Sequence, residues 1–372
     1  MPDLELRADE AGKTAMAGAD TTGAGAAVAR LDRLALLGIA AELHRRTSLD
    51  GPGAYPADEI AEELGSAARH AWIPGHWLAA LHDAGLVSRD GEGCYHGLHR
   101  PRRAELATAR AHMEAAATAL GYPSELPAML LRSLALLPRL LGDEVGVQAL
   151  LYPDGETATA DAVYRDNLIS RYLNGAAAQA VRELAGGAGR PLRVLELGAG
   201  IGATTADLLP ALGGHEVEFY LFTDLSRFFL DTARHRFQAG FLRYELLDIA
   251  RDLPAQPDKL DLVVAATMAH NAPHAGRLLE QVAALLAPGG HVILVETVLE
   301  HPQSLTSMPF ALSQRDGLPA RHDERAGTTR TYLSREEWLG WLARAGLRVE
   351  VDLPRDDDPL AALSQRLLVA TR

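Results

Sequence analysis

The residues with the most definite chemistry lie in the second half of the chain. Glu196-Leu197-Gly198-Ala199-Gly200-Ile201-Gly202-Ala203 follows a β-rich run and precedes a helical one. Glycines at such a junction let the backbone turn sharply and let a ligand reach main-chain atoms with no Cβ in the way. The amides opening the next helix then face that ligand. Gly198, Gly200 and Ala203 also satisfy the dinucleotide pattern G-x-G-x-x-A, so the turn alone leaves the ligand open. Asp224 ends the second β-rich run, 26 residues past Gly198, and a carboxylate there accepts from both hydroxyls of a ribose. Asp248 and Ile249 end the third run. Such an acid can accept from an adenine amino group while the ring packs on the apolar neighbour; the competing reading is a turn or helix cap. His270 and His274 form an H-x₃-H pair one helical turn apart, a spacing that suits a metal, but no third ligand is indicated.

These residues need a scaffold that brings strand ends together. From Pro191 onward, short β-rich runs alternate with helical stretches: LRVLELG, EVEFYLFTD, FLRYELLDI, LDLVVAAT and HVILVETV. That alternation predicts an α/β fold, a mostly parallel sheet covered on both faces. Ser334 and Glu337 have capping-box spacing ahead of REEWLGWLARAG. LRVEVDL and the final LAALSQRLLVATR complete the sheet, the last strand pairing antiparallel.

With the motifs in order, the chain resembles class I S-adenosylmethionine-dependent methyltransferases with a Rossmann-like sheet. ELGAGIGATT, FTDLS, LLDI, DLVVAATMAH and LLAPGGHVILVET carry the resemblance, and the C-methyltransferase domains of polyketide synthases are most similar. YRDNLISRYLNG upstream is similar to the segment before their cofactor domain. The resemblance covers residues 150–298 well. It implies S-adenosyl-L-methionine as cofactor, shaped or held by Glu196, Gly198, Ala199, Gly200, Gly202, Asp224, Leu225, Asp248, Ile249 and Thr267. It also implies His270 as catalytic base and Glu296, ending the fifth strand, as its partner. A carboxylate beside an imidazole fixes its tautomer and strengthens it as a base. Methyl transfer from a sulfonium asks the protein to align the acceptor and remove its proton, and requires no metal.

The region before Pro191 reads differently. Residues 1–25 are small and polar and are expected to be a flexible tail. Residues 26–100 show three helices and a hairpin around Asp90-Gly91, the pattern of a winged-helix module. Its candidate recognition helix, HAWIPGHWLAALHDAG, has no Arg or Lys, and the module holds 7 basic against 10 acidic residues. Base readout and phosphate contact depend on Arg and Lys, so a packing or dimerisation role is expected rather than nucleic-acid binding. It resembles the dimerisation domain of free-standing small-molecule O-methyltransferases, which implies a homodimer. Residues 101–187 read as a helical linker or substrate-side domain, and residues 188–372 as the cofactor domain. Tyr164 and Tyr172 lie eight apart, hence on one helix face, as core or as a wall over the site. The polar insertion 299–333, with Met308, Phe310, Arg315, His322 and Arg325, is either a lid or a solvated loop.

The net charge of −13 argues against non-specific nucleic-acid binding. A single cysteine, Cys94, allows no disulfide within the chain, and no targeting or membrane segment is visible, so a cytoplasmic protein is expected. The expected activity is C-methylation of a small-molecule or carrier-bound acyl acceptor in specialised metabolism. Tyr164, Tyr172, Asn271, Met308 and Phe310 are candidates for contacting that acceptor. O- or N-methylation, a non-methylating homologue, a nicotinamide enzyme and a DNA-binding regulator remain alternatives.

Overall fold

Apolar spacing decides where each element forms, and the elements fall into a helical half followed by a sheet half. The computed structural model describes residues 4–153, 157–254 and 258–372. In chain order the first half comprises α1 (Leu4–Ala15), α2 (Ala24–Arg46), α3 (Ala57–Glu63) and α4 (Ile73–Asp83). The hairpin β1 (Ser88–Arg89) and β2 (Tyr95–His96) follows, then α5 (Arg103–Ala119) and α6 (Glu125–Leu141). Single turns α7 (Gln148–Leu151) and α8 (Ala158–Asp161) lead through a wide π turn, Ala162–Asp166, into α9 (Leu168–Gly187). The expected three helices and hairpin of residues 26–100 are therefore present.

The second half comprises β3 (Leu192–Leu197), α10 (Thr205–Ala211), β4 (Val217–Asp224), α11 (Arg227–Arg236), β5 (Leu242–Leu246), β6 (Leu260–Ala266), α12 (Ala275–Leu285) and β7 (Leu286–Thr297). Short α13 (Met308–Leu312), α14 (Arg335–Arg344), β8 (Arg348–Leu353) and β9 (Gln365–Thr371) complete it. The strand order is β5-β4-β3-β6-β7-β9-β8. Strands β5 to β7 are parallel, and β9 runs antiparallel to both β7 and β8, as the sequence predicts. The order reverses between β3 and β6, so a crevice opens at their carboxyl ends, where sheets of this kind bind ligands. The capping box on α14 is formed, Ser334 Oγ accepting from the Glu337 amide at 3.2 Å.

One sheet face packs on α9, α1 and α2, and the other on α12 and α14, with Trp338 and Leu342 fully buried there. A third core lies inside the N-terminal helices and includes Trp77, Leu78 and Leu81 of α4. Phe310 enters this core, packing edge-on against His70 and Trp77. Truncating it to Ala would leave a cavity costing about 3–5 kcal/mol. Its role is therefore to pin the insertion to the helices, not to line an acceptor site, and Met308 begins the same short helix, half-buried. The Trp77 indole donates to Leu305 O at 2.9 Å and the Trp72 indole to Ser313 Oγ at 3.0 Å, so the insertion is tied to α4 and to the residue that precedes it.

The expected flexible tail is corrected. Residues 1–3 lie outside the described residues, but Leu4–Ala15 is a helix docked on α9. Small residues make this possible: a Cβ on Gly12 would lie 2.7 Å from the Tyr172 ring. The Tyr172 hydroxyl donates to Asp9 Oδ1 at 2.5 Å, and Asp9 also pairs with Lys13. The shared face of Tyr164 and Tyr172 is corrected too, because Asn167 breaks the helix between them and caps α9 by accepting from the Ser170 amide. Tyr172 is fully buried between α9 and α1 and is a packing residue.

Among the described residues, the large apolar side chains that stay exposed are Leu6, Leu225, Phe228, Leu246, Leu299 and Leu318. Among the described residues no helix is long and apolar enough to cross a membrane.

Tyr172→Phe should strand the buried Asp9 carboxylate without its phenol donor and lower stability by about 1–3 kcal/mol, read by thermal melting. Turnover should be unchanged; a fall in turnover at wild-type stability would place Tyr172 in the active site instead.

Candidate active site

The site is assembled where three strand ends meet. β3 runs into the glycine turn, and Gly198 adopts a positive φ of 55°. A Cβ there would press on the Met268 side chain at 2.8 Å, so the turn needs glycine for both conformation and space. The Gly200 amide donates to Asp224 Oδ2 at 2.9 Å, and the Ser226 amide donates to Oδ1 at 2.8 Å. Burial pushes the Asp224 carboxyl up, while those amides pull it back. Each oxygen keeps lone-pair capacity for a further donor such as a ribose hydroxyl. The amide of Leu247 donates to Asp224 O, which brings the Asp248–Ile249 strand end alongside. Asp248 closes its own turn by accepting from the Ala250 amide at 2.9 Å and sits 3.4 Å from Arg251. Ile249 is half-buried against the sheet, and Leu225 is 70% exposed.

Beneath the turn, Glu196 is buried. It accepts from Thr205 Oγ1 and from the Tyr220 hydroxyl, each at 2.7 Å. Burial raises its pKa to about 7 against the pull of those two bonds. Glu196 therefore braces the turn from below rather than facing a ligand. Above the turn lies a cover in which Tyr152, unmarked in the sequence, joins the expected Tyr164. Tyr152 and Tyr164 pack with Ile201, Ala203 and Phe229. Burial pushes the Tyr152 hydroxyl up to about 12, with Tyr164 and Asp224 adding to it. Tyr164 thus stays at the site, whereas Tyr172 and Phe310 leave it.

The end of β6 leads into the turn that carries His270, the candidate base. Thr267 has φ +53°, a conformation that costs a β-branched residue about 1–3 kcal/mol. Its amide is held by Val295 O at 2.6 Å. The turn that follows is gathered by one carboxylate. Glu296, fully buried, accepts through Oε1 from the amides of Met268 (3.1 Å) and Ala269 (2.7 Å), with that of His270 at 3.4 Å. Its Oε2 lies 2.8 Å from His270 Nδ1. An acceptor-only carboxylate requires Nδ1 to carry the proton, so Nε2 is the nitrogen with a free lone pair. The Tyr332 ring stands edge-on to the imidazole, centroids 4.9 Å apart, and burial pushes its hydroxyl well up.

The carbonyl side of the same turn is held by the insertion. Arg325, fully buried, donates to His270 O at 2.5 Å, to Ala272 O at 3.1 Å and to Thr331 O at 3.0 Å. It pairs with Asp323 at 2.6 Å, and Asp323 accepts from the Ala275 amide at the start of α12. Burial works against the Asp323 charge, but Arg325 and that amide outweigh it and hold the pKa down at about 2. The insertion is neither a lid nor a solvated loop in this stretch. His274 caps α12, accepting from the Arg277 amide at 3.3 Å, and its ring packs on Trp341. Among the described residues no group of three or more His, Cys, Asp or Glu is placed to hold a metal. Asn271 is exposed and offers its carbonyl to Arg321.

Sequence reasoning placed His270 and Glu296 together and missed Tyr332, Tyr152 and the work done by Arg325. Tyr332 lies 62 residues from His270 in a loop without periodicity, so no local signal marks it.

The chain is similar in sequence and in fold to known proteins. Residues 195–292 match the family described as a methyltransferase domain. Over 334 residues, 87% of this chain, it is 30% identical to pyochelin synthetase PchF of Pseudomonas aeruginosa and spans 18% of that protein. Polyketide synthase ThaQ of Burkholderia thailandensis is 35% identical over 234 residues, 59% of this chain and 11% of ThaQ. The chain thus spans under a fifth of the length of these curated relatives. The crystal structure of the CurJ carbon methyltransferase superposes with a TM-score of 0.84 at 22% identity, covering 100% of this chain and 98% of that one. That likeness establishes the fold.

The raised pKa of Glu196 has a signed consequence. The folded state keeps its proton up to about pH 7, whereas the unfolded chain releases it near 4.5. This contribution to stability is complete below 4.5 and is lost as pH rises through 7. Glu196→Gln, which cannot ionise, should therefore gain on wild type by up to about 3 kcal/mol between pH 4.5 and 8 in denaturant titrations. A difference that stays flat with pH would mean that Glu196 titrates normally.

Proposed function

Because the chain carries a class I S-adenosylmethionine-dependent methyltransferase domain, we propose that it methylates carbon on an acyl acceptor in natural-product assembly, with His270 as the base. The observation that carries this reading is the 2.8 Å contact between His270 Nδ1 and the buried Glu296 carboxylate, which leaves Nε2 as the acceptor of a proton.

The residues around the glycine turn fit the cofactor. A Cβ on Gly200 would meet open space, so the turn presents free volume beside its amide. Asp224 has acceptor capacity for hydroxyls, and Asp248 with Ile249 offers an acid beside an apolar surface for a purine. When bound, S-adenosylmethionine supplies a methyl group already activated on a sulfonium. The protein's own task is then to hold the acceptor carbon in line and take its proton on Nε2. Glu296 stabilises the imidazolium that results and prevents the ring from turning. An imidazole is too weak a base for an ordinary alkyl thioester. It suffices for a carbon between two carbonyls, whose carbanion is delocalised over both oxygens. We therefore take the acceptor to be a 3-oxoacyl thioester on a carrier. The polyketide and nonribosomal-peptide synthetase relatives support a carrier-bound substrate.

Turnover is measured with an acetoacetyl thioester of N-acetylcysteamine and a methyl-labelled donor. His270→Ala should lower kcat by about 10²–10⁴-fold. Glu296→Gln should fall nearly as far, because the amide nitrogen would face Nδ1 and drive the proton onto Nε2. Wild-type turnover in both variants would sink the mechanism, and product NMR showing the label on oxygen or nitrogen would sink the carbon assignment.

Asp224→Asn removes a charged acceptor and should weaken S-adenosylhomocysteine binding about 10–100-fold by calorimetry. Unchanged affinity would take Asp224 out of the cofactor site.

A further inference from the structure

The turn His270–Pro273 lies outside the sheet, so none of its carbonyls has a strand partner. All four are nonetheless held by one short stretch of the insertion. Arg325 donates to His270 O (2.5 Å) and Ala272 O (3.1 Å). Arg321 donates to Asn271 O and Ala272 O, each at 3.0 Å, and the His322 amide donates to Pro273 O at 2.8 Å. With Glu296 gripping the amides, the turn is clamped on both polar edges. We propose that Arg325 and Arg321 are positioning residues that fix the His270 imidazole against Glu296 and the acceptor, so that the insertion 299–333 completes the active site.

This rests on His270 being the base. The physical case is the chemistry of the two donors. A fully buried guanidinium is costly unless paired, and Asp323 at 2.6 Å supplies the pairing. The planar fork then reaches two backbone carbonyls of the catalytic turn at once, plus Thr331 O next to Tyr332. A stability role alone would not need the donors concentrated on the four residues that begin with His270. The same segment is tied to the N-terminal helices upstream: Glu300 lies 2.9 Å from His76, and the Gln303 amide donates to Asp32 at 3.1 Å. The helical half and the proposed base therefore share one mechanical connection.

Arg325→Lys keeps the charge and loses the fork. Its kcat on the acetoacetyl thioester should fall about 10–100-fold, since a displacement near 1 Å costs about that much. Arg321→Ala should fall about 3–10-fold, as Ala272 O keeps its bond to Arg325. In both variants the S-adenosylhomocysteine Kd and the KM for the methyl donor should stay within about twofold of wild type, a split that general disorder would not give. Equal losses in kcat and cofactor affinity would overturn the positioning assignment, and so would wild-type kcat in both variants while His270→Ala is inactive. Should Arg325→Lys fail to fold, Arg321→Ala decides alone by the same split. An active His270→Ala would instead defeat the base itself, so the two failures are separable.

Discussion

A carboxylate with no exposure to water must collect donors, and Glu296 does so from a single turn of chain. Its backbone belongs to β7, whose register with β6 places it beside the end of that strand. The donors within reach are the amides of Met268, Ala269 and His270 and the imidazole of His270. Desolvating an anion is costly, and only this full set of bonds makes it tolerable. The consequence is directional. The turn after β6 must curl over the Glu296 side chain, Thr267 must take up its left-handed conformation, and the imidazole must keep Nδ1 toward the carboxylate.

The structure is organised to keep that arrangement rigid. The sheet supplies two adjacent parallel strand ends, and Glu196 braces the neighbouring glycine turn through Thr205 and Tyr220. The insertion holds the opposite edge of the turn after β6 through Arg325. Its upstream half is buried in the N-terminal helical core through Leu305 and Phe310. The helical half therefore acts on the site at second hand, as the anchorage of the segment that reaches it.

Much of this was legible in the residue order. The βαβ alternation specified a parallel sheet because strands buried on both faces read as apolar runs between turn residues. The α14 capping box and the juxtaposition of His270 with Glu296 also followed once neighbouring strands were assumed. What failed was of another kind. The first helix resembles a tail in sequence because its Ala, Gly and acidic residues show little apolar periodicity; its docking depends on small residues fitting closely against Tyr172. Asn167 interrupts what reads as one continuous helix, and that break sends Tyr164 and Tyr172 to different surroundings. Arg325 was visible as a charged residue in a polar loop, the composition that normally marks solvent.

Residue order alone specifies the fold class and the glycine turn, because period and turn chemistry are local properties, and the family resemblance adds the pairing of His270 with Glu296. Tertiary structure alone decided which buried charges find partners. Arg325 comes to His270 from 55 residues away and Tyr172 to Asp9 from 163 residues away. The free energy of a buried polar group depends on donors and acceptors that only the folded chain brings within hydrogen-bond reach, and no local pattern encodes it.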